Sequence, residues 1–363
     1  MTSKIVPAPR TGIAPVGVWI HGLECFADRD ALRGFAERLV THGVDILFPC
    51  VKQTSGYVDY PSSIATQSAW SVGRDPLQEL LDAASEFGLT VHAWLCNFIE
   101  GKGSALLNAH PELQAMQNHP AKGLQSERPE MWAESNRWAC SNHPMVLAYE
   151  TALMREVADR YPVAGVHFDY VRSGFHQCYC GYCRAKCQEL TGADLLTQMG
   201  NFHPQARVWY DWRADNISSF VRHVGEHVHA RGQETSAAVF CVLPLSYNEQ
   251  AQDWPLWLRE GWLDLAIPMT YSTIPRETRL YTLNHAACAA DAGRGEMWEG
   301  LYVDPCDDAL FEEIAAEAMS CGAQGLTVFQ YHALTDEKFA RLHAGMAAGT
   351  AAGAASSGRL QKK

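Results

Sequence analysis

The chain contains no run of 18 apolar residues, so no segment reads as a membrane-spanning helix. Basic residues are in short supply, 29 Lys and Arg against 41 Asp and Glu. The net charge of −12 argues against a nucleic-acid backbone as partner. Gly-x-Ser-x-Gly, a Gly-rich phosphate loop and His-Glu-x-x-His are all missing, which removes support for serine hydrolysis, phosphoryl transfer and zinc proteolysis. The opening residues, Met1-Thr-Ser-Lys-Ile-Val-Pro-Ala-Pro-Arg10, hold no apolar signal core, so a cytoplasmic location is expected. Cysteines number twelve, but outside one cluster they are scattered singly, often in apolar runs. That is the pattern of reduced core thiols, not of a disulfide framework.

What the chain does contain is regular. Eight short apolar runs recur at Val16–His21, Val44–Phe48, Thr90–Leu95, Val163–Phe168, Thr235–Phe240, Leu263–Met269, Met297–Val303 and Gly325–Phe329. Each is strand-length and apolar on both faces, as in a parallel sheet covered by helices. Amphipathic stretches separate them, such as Asp28–His42, Pro76–Phe87, Val146–Arg160, Asp215–Arg231 and Asp307–Cys321. Several end in glycine before the next strand. Eightfold strand–helix alternation predicts an α/β fold, a single (β/α)8 TIM barrel with long loops after strands 3 and 4. Residues 1–13 are expected to form an N-terminal extension, 14–345 the barrel, and the Ala/Gly/Ser-rich residues 346–363 a flexible tail.

Both long loops carry chemistry. Cys178-Tyr-Cys180-Gly-Tyr-Cys183 is too tightly spaced to pair internally without strain, but three thiolates can converge on one tetrahedral zinc. Two cysteines compete for the fourth place, and Cys140 is selected for its position at the end of the preceding long loop. Cys140 closes the preceding long loop; Cys187 falls one turn after Cys183 on an apparent helix. A full set of four thiolates makes the metal structural, since no coordination position stays open. The alternative is four reduced thiols without metal. Just upstream, Gly165-Val-His167-Phe-Asp169-Tyr-Val-Arg172 is an apolar strand ending in a carboxylate, placed to meet a ligand at the carboxyl end of a barrel. The plainer reading of Asp169 is a loop cap, and that of His167 a barrel filler. Other polar or aromatic residues near strand ends are His21, Glu24, Lys52, Trp94, Asn97, Tyr271, Glu299, Tyr302, Gln330 and Tyr331. Aromatic faces among amide and acid groups suit a sugar, whose apolar faces stack while its hydroxyls form hydrogen bonds.

The run Arg137-Trp-Ala-Cys140-Ser-Asn-His-Pro, continuing through Gly165-Val-His-Phe-Asp169 to Cys178-Tyr-Cys180-Gly-Tyr-Cys183, resembles two related groups. One is the family-10-like, or glycosyl-hydrolase-like, TIM-barrel group, in which a strand of this type carries the key acid. Val18-Trp19, His92-Ala-Trp94 and Trp212-Arg213 before Asn216-Ile217, which would open a helix, match it as well. The other is the family 42 β-galactosidases, whose zinc pattern falls on Cys140, Cys178, Cys180 and Cys183. The Asn-Glu pair of family 42 is replaced here by Asp169-Tyr170, so the chain departs from an ordinary β-galactosidase.

The resemblance implies a glycoside hydrolase with Asp169 as general acid and a structural zinc. A second carboxylate is needed, and Glu299 on strand seven is selected ahead of Glu24 and Glu100. His21, Trp94, Asn97, His167, Arg172, Tyr271 and Gln330 are expected to bind the carbohydrate substrate. Neither a nucleic acid nor a membrane is expected as partner, and assembly into a homo-oligomer stays open. Two other readings are a catalytically silent carbohydrate-binding barrel and a metal-dependent carbohydrate deacetylase. The second would need an open metal site.

Overall fold

The structure, a computed structural model, describes residues 10–118, 126–127, 137–174, 177–200 and 202–360. Most of the expected N-terminal extension and the last three residues lie outside that range. Eight parallel strands follow one another around a barrel: β1 Val16–Ile20, β2 Ile46–Lys52, β3 Thr90–Cys96, β4 Gly165–Asp169, β5 Glu234–Val239, β6 Leu265–Pro268, β7 Glu296–Tyr302 and β8 Leu326–Phe329. β7 is two strand segments broken at Trp298. Its first pairs with β6 (Leu265↔Glu296) and its second with β8 (Glu299↔Leu326). A bridge between Met269 and Gly300, and the pairing of β8 with β1, close the ring. The strands are almost wholly buried, as expected of a sheet enclosed by helices.

The surrounding helices are α1 Arg29–Thr41, α2 Pro76–Glu86, α3 Pro144–Arg160, α4 Gly181–Thr191, α5 Ala206–His229, α6 Trp254–Glu260, α7 Pro275–Ala292, α8 Asp308–Ser320 and α9 Asp336–Leu360. Local signals set many of their starts. Asp28, Asp75 and Asp307 each accept a backbone N–H from the first turn, and proline opens α2, α3 and α7. α5 starts well before the expected Asp215, and no side chain caps it. Trp212 and Arg213 therefore lie inside α5 and do not open it. Burial of Trp209 and Arg213, not a cap, extends this helix.

The expected tail from residue 346 is instead the second half of α9, which is helical to Leu360. Its glycines are a packing surface. A Cβ on Gly345 would meet the Glu312 carbonyl oxygen at 2.3 Å, and one on Gly349 the Ala316 carbonyl oxygen at 2.3 Å. Matched steps of four residues on both helices mean that α9 lies parallel to α8 with backbones in near contact. Glycine in a helix costs about 1 kcal/mol relative to alanine; here the approach it permits offsets that cost.

Candidate active site and cysteine cluster

At the carboxyl ends of the strands a cavity of about 190 Å³ opens among Trp19, Trp94, Tyr271 and Phe329, with Cys96, Ala238 and Met269 completing its apolar wall. Its polar groups are His21, Thr54, Asp169, Tyr170 and Arg172. A wider groove of about 920 Å³ runs past Asp264, Glu296 and Gln324, at the opposite, amino-terminal ends of the strands. In barrels of this type that face serves stability and the carboxyl face serves chemistry, so the smaller cavity is the candidate site.

Asp169 is the one carboxylate among the described residues lining this cavity, and it is 6% exposed. Burial raises its pKa to about 6, against the opposing pull of the Arg172 charge, the Tyr170 backbone N–H and the Trp94 indole. The Tyr170 N–H donates to Asp169 Oδ1 at 2.6 Å. Trp94 Nε1 lies near enough to act on the carboxylate but makes no hydrogen bond of ordinary geometry. Asp169 can therefore hold a proton at mildly acidic pH and release it near neutrality, as a general acid must. His21 packs against Trp94 with ring centroids 5.7 Å apart. Burial lowers its pKa and the Glu24 charge partly restores it, so the ring is neutral at pH 7.

His167 lies beneath the cavity, fully buried, and does not line it. Trp19 Nε1 can only donate, and it does so to His167 Nε2 at 3.0 Å. The His167 proton is thereby placed on Nδ1, which donates to Ser236 Oγ at 2.8 Å, and Ser236 in turn donates to His92 Nδ1 at 2.9 Å. Burial holds His167 well below its usual pKa, as this neutral tautomer requires. The chain of bonds crosses the barrel interior where Gly165 leaves room: a Cβ there would stand 2.8 Å from the His92 ring. His167 is a support for Trp19, not a ligand contact.

Three other expectations are corrected. Asn97 is fully buried and turned away from the cavity, with Nδ2 donating to Glu150 Oε2 at 3.2 Å. Gln330 follows cavity-lining Phe329 but does not line the cavity itself. Glu299, the expected second carboxylate, faces the helix layer. There its Oε1 accepts from His285 Nδ1 at 2.7 Å and its Oε2 from Thr270 Oγ1 at 2.6 Å. His285 Nε2 also donates, to the Cys241 carbonyl at 2.7 Å. Both ring nitrogens face acceptors, which favours the imidazolium over either neutral tautomer. Burial pulls its pKa down, but the Glu299 charge and these bonds hold it above the usual value.

A buried charge cluster behind β2 and β3 went unrecognised in the sequence, although Lys52 stood out at a strand end. Lys52 Nζ meets Glu100 Oε1 at 2.6 Å, Glu150 Oε1 at 3.2 Å and the Cys96 carbonyl at 2.7 Å, all without solvent exposure. Burial pushes Glu150 up to about 7 in spite of Lys52. Glu150 also accepts the Phe98 N–H at 2.9 Å, where the backbone turns through φ 61°. The cluster pins residues 96–98, and the neighbouring Asn97 N–H donates to the Asp169 carbonyl at 2.7 Å.

The loops after β3 and β4 meet at four buried cysteines. Cys140, Cys178, Cys180 and Cys183 place their sulfurs within 4.8 Å of one another. Cys140 stands 3.5 Å from Cys183 and 3.7 Å from Cys180. A tetrahedron with metal–sulfur bonds of about 2.3 Å has edges of about 3.8 Å, whereas a disulfide needs about 2.05 Å. The spacing therefore fits a shared metal and not paired cystines. Backbone N–H groups of Met116 and Cys180 point at Cys178 Sγ, and the Asn142 amide points at Cys183 Sγ, as thiolate acceptors require. Buried Arg213 adds a positive charge that feels Cys183 and Cys178. Cys187 is outside the set; its sulfur contacts Thr191 within α4.

This arrangement has relatives. Glycosyl hydrolase DigH of Escherichia coli O6:H1 is 24% identical over 267 residues, covering 66% of this chain and 57% of that protein. DigH of E. coli K12 is 23% identical over 270 residues, with the same coverage. The chain thus spans little more than half the length of these relatives. Among solved structures, a GH42 β-galactosidase from G. stearothermophilus, Gan42B, superposes with a TM-score of 0.65 at 12% identity, covering 97% of this chain and 58% of that one. The β-amylase catalytic domain from Paenibacillus polymyxa gives 0.61 at 13% identity, covering 93% and 98%. Both establish the barrel and nothing finer. The sequence model for glycosyl hydrolase-like 10 matches residues 16–292, from the first strand through α7, and so takes in the cavity floor, Asp169 and the cysteine cluster. The chain belongs to the glycosyl hydrolase-like 10 family.

Proposed function

We propose that the protein is a glycoside hydrolase in which Asp169 protonates the leaving glycosidic oxygen. The observation that carries this reading is a carboxyl group buried in an aromatic-walled cavity at the carboxyl end of β4, with its pKa raised to about 6. Trp94 and Tyr271 offer faces for the sugar, and His21 and Arg172 offer polar contacts. With Glu299 engaged by His285 and Glu100 by Lys52, Glu24 is the second carboxylate to test, since its charge reaches cavity-lining His21. The four cysteines hold zinc in a structural role, joining the two loops that wall the cavity. Such a site has no open position for substrate, which disfavours the deacetylase reading. Thiols kept reduced for this purpose fit a cytoplasmic location.

Asp169→Asn keeps the shape and removes the acid. Turnover of an unactivated glycan is expected to fall on the order of 10²–10⁴-fold. A nitrophenyl glycoside, with its better leaving group, should be hurt less. Full activity of the variant on an unactivated glycan would overturn the assignment. The second reading, a silent carbohydrate-binding barrel, is favoured by the single carboxylate among the described residues of the cavity wall. It predicts binding without turnover in the wild type.

A further inference from the structure

Among the described residues lining the cavity, Arg172 is the one whose side chain is a fixed cation, and it makes no ion pair with another described residue. Its Nη1 is buried without a hydrogen-bond partner. Asp169 feels its charge, yet no ion pair forms between them. The Tyr170 ring lies 4.6 Å from the guanidinium carbon and covers one face. Tyr170 is itself held, with φ 53° and its N–H on Asp169 Oδ1. The guanidinium is thus positioned by stacking, with donors left over. A second cavity donor, Trp94 Nε1, is also buried and, beyond its pull on the Asp169 carboxylate, makes no hydrogen bond of ordinary geometry. Buried donors without acceptors are costly and rare in folded proteins, so Arg172 Nη1, with the weakly engaged Trp94 Nε1 beside it, marks the place of an acceptor-rich ligand group. Sugar hydroxyls could accept these bonds but would leave the guanidinium charge uncompensated while Asp169 carries its proton. A carboxylate matches the planar fork of arginine and its charge together.

We propose, on the basis of the glycosidase reading above, that the sugar bound beside Asp169 carries a carboxylate, as in a uronic acid, and that Arg172 receives it. The substrate class is then an acidic glycan. The bound carboxylate places a second negative charge near Asp169 and disfavours its ionisation, so the substrate helps to keep the catalytic acid protonated. The chain's net charge of −12 opposes this partner only at long range. Charges farther than about 8 Å are largely screened at physiological salt, and contact is decided by Arg172.

The full chain, purified with its bound metal, can be titrated with paired probes while Trp fluorescence is followed, since Trp19 and Trp94 line the cavity. The pairs are glucuronate and glucose, galacturonate and galactose, mannuronate and mannose, together with short oligomers of each. At least one uronate series is expected to bind about tenfold or more tightly than its neutral parent, the scale of one charge-assisted hydrogen bond. Arg172→Gln should erase that preference, Arg172→Lys should keep part of it, and Asp169→Asn should preserve it. Circular dichroism of each variant separates loss of binding from loss of fold. Equal binding of acid and parent, or a preference that survives Arg172→Gln, overturns the proposal. Binding of neutral sugars alone overturns it while leaving the carbohydrate reading intact. Binding of neither series removes both.

Discussion

Asp169 shows how one buried residue sets stability against chemistry. Its pKa is raised from 3.8 to about 6, so the folded state holds the proton more tightly than the unfolded chain. That contribution is fully present below about pH 4 and is lost as pH rises through about 6. The implied cost at neutral pH is of order 3 kcal/mol at one unit per 1.36 kcal/mol. Asp169→Asn should therefore raise the melting temperature at pH 8 and change it little at pH 4, while abolishing proton donation. In the wild type, turnover should decline as pH rises through about 6, because a general acid acts only when protonated. His285 has the opposite chemistry. As a histidine with a raised pKa, it contributes stability that is complete below about 6.5 and is lost as pH rises through its folded value. Removing one partner of a buried pair costs about 3–5 kcal/mol. His285→Leu should lower stability by about that amount when measured in denaturant at pH 6. A catalytic role for Glu299 predicts instead that Glu299→Gln loses turnover without losing stability.

Among the elements, the loops after β3 and β4 depend on each other through the cysteines. One equivalent of zinc per chain is expected on elemental analysis. Less than about 0.2 equivalents with all thiols titratable would reject the metal; structural zinc sites hold their ion tightly at pH 7. Cys140→Ser and Cys180→Ser should lower stability strongly, because metal-binding energy is folding energy at such a site. Cys187→Ser should not, since its sulfur only contacts Thr191. Chelation should abolish ligand binding before it reduces helical signal. Simultaneous loss of both would mean that the cluster supports the whole barrel. The spacing of Cys178, Cys180 and Cys183 was legible as a metal motif because these residues are close in sequence. Cys140 is selected over Cys187 by its place at the end of the preceding loop and by the resemblance, and the structure sets its sulfur beside the other three.

For the whole molecule, closure of the barrel and the seating of α9 on α8 decide stability. Gly349 sits where a Cβ would stand 2.3 Å from the Ala316 carbonyl oxygen. Gly349→Leu should push the helices apart and cost about 1–3 kcal/mol, the usual range for overpacking. Truncation after Gly345 should also lower the melting temperature, since it removes fully buried Met346. A tail that contributed nothing would leave it unchanged. The small residues of 346–355 suggested flexibility because composition reports propensity alone. Their use as a close-packing face is visible only against a partner helix.

The sequence by itself determined the eight strands, their helices and the cysteine motif. Each rests on local physics: periodic burial, an aspartate or proline at a helix start, and short-range spacing of thiols. It also placed Asp169 at the end of β4, beside Arg172, and those residues do share the cavity. Only the tertiary structure decided which way strand side chains point. A strand buried on both faces carries no alternation of polar and apolar residues, so Asp169 and Glu299 look alike in sequence. One faces the barrel mouth and the other the helix layer. Asn97 and His167 were misplaced for the same reason, because the partners that claim them, Glu150 and Ser236, are more than fifty residues away in the chain.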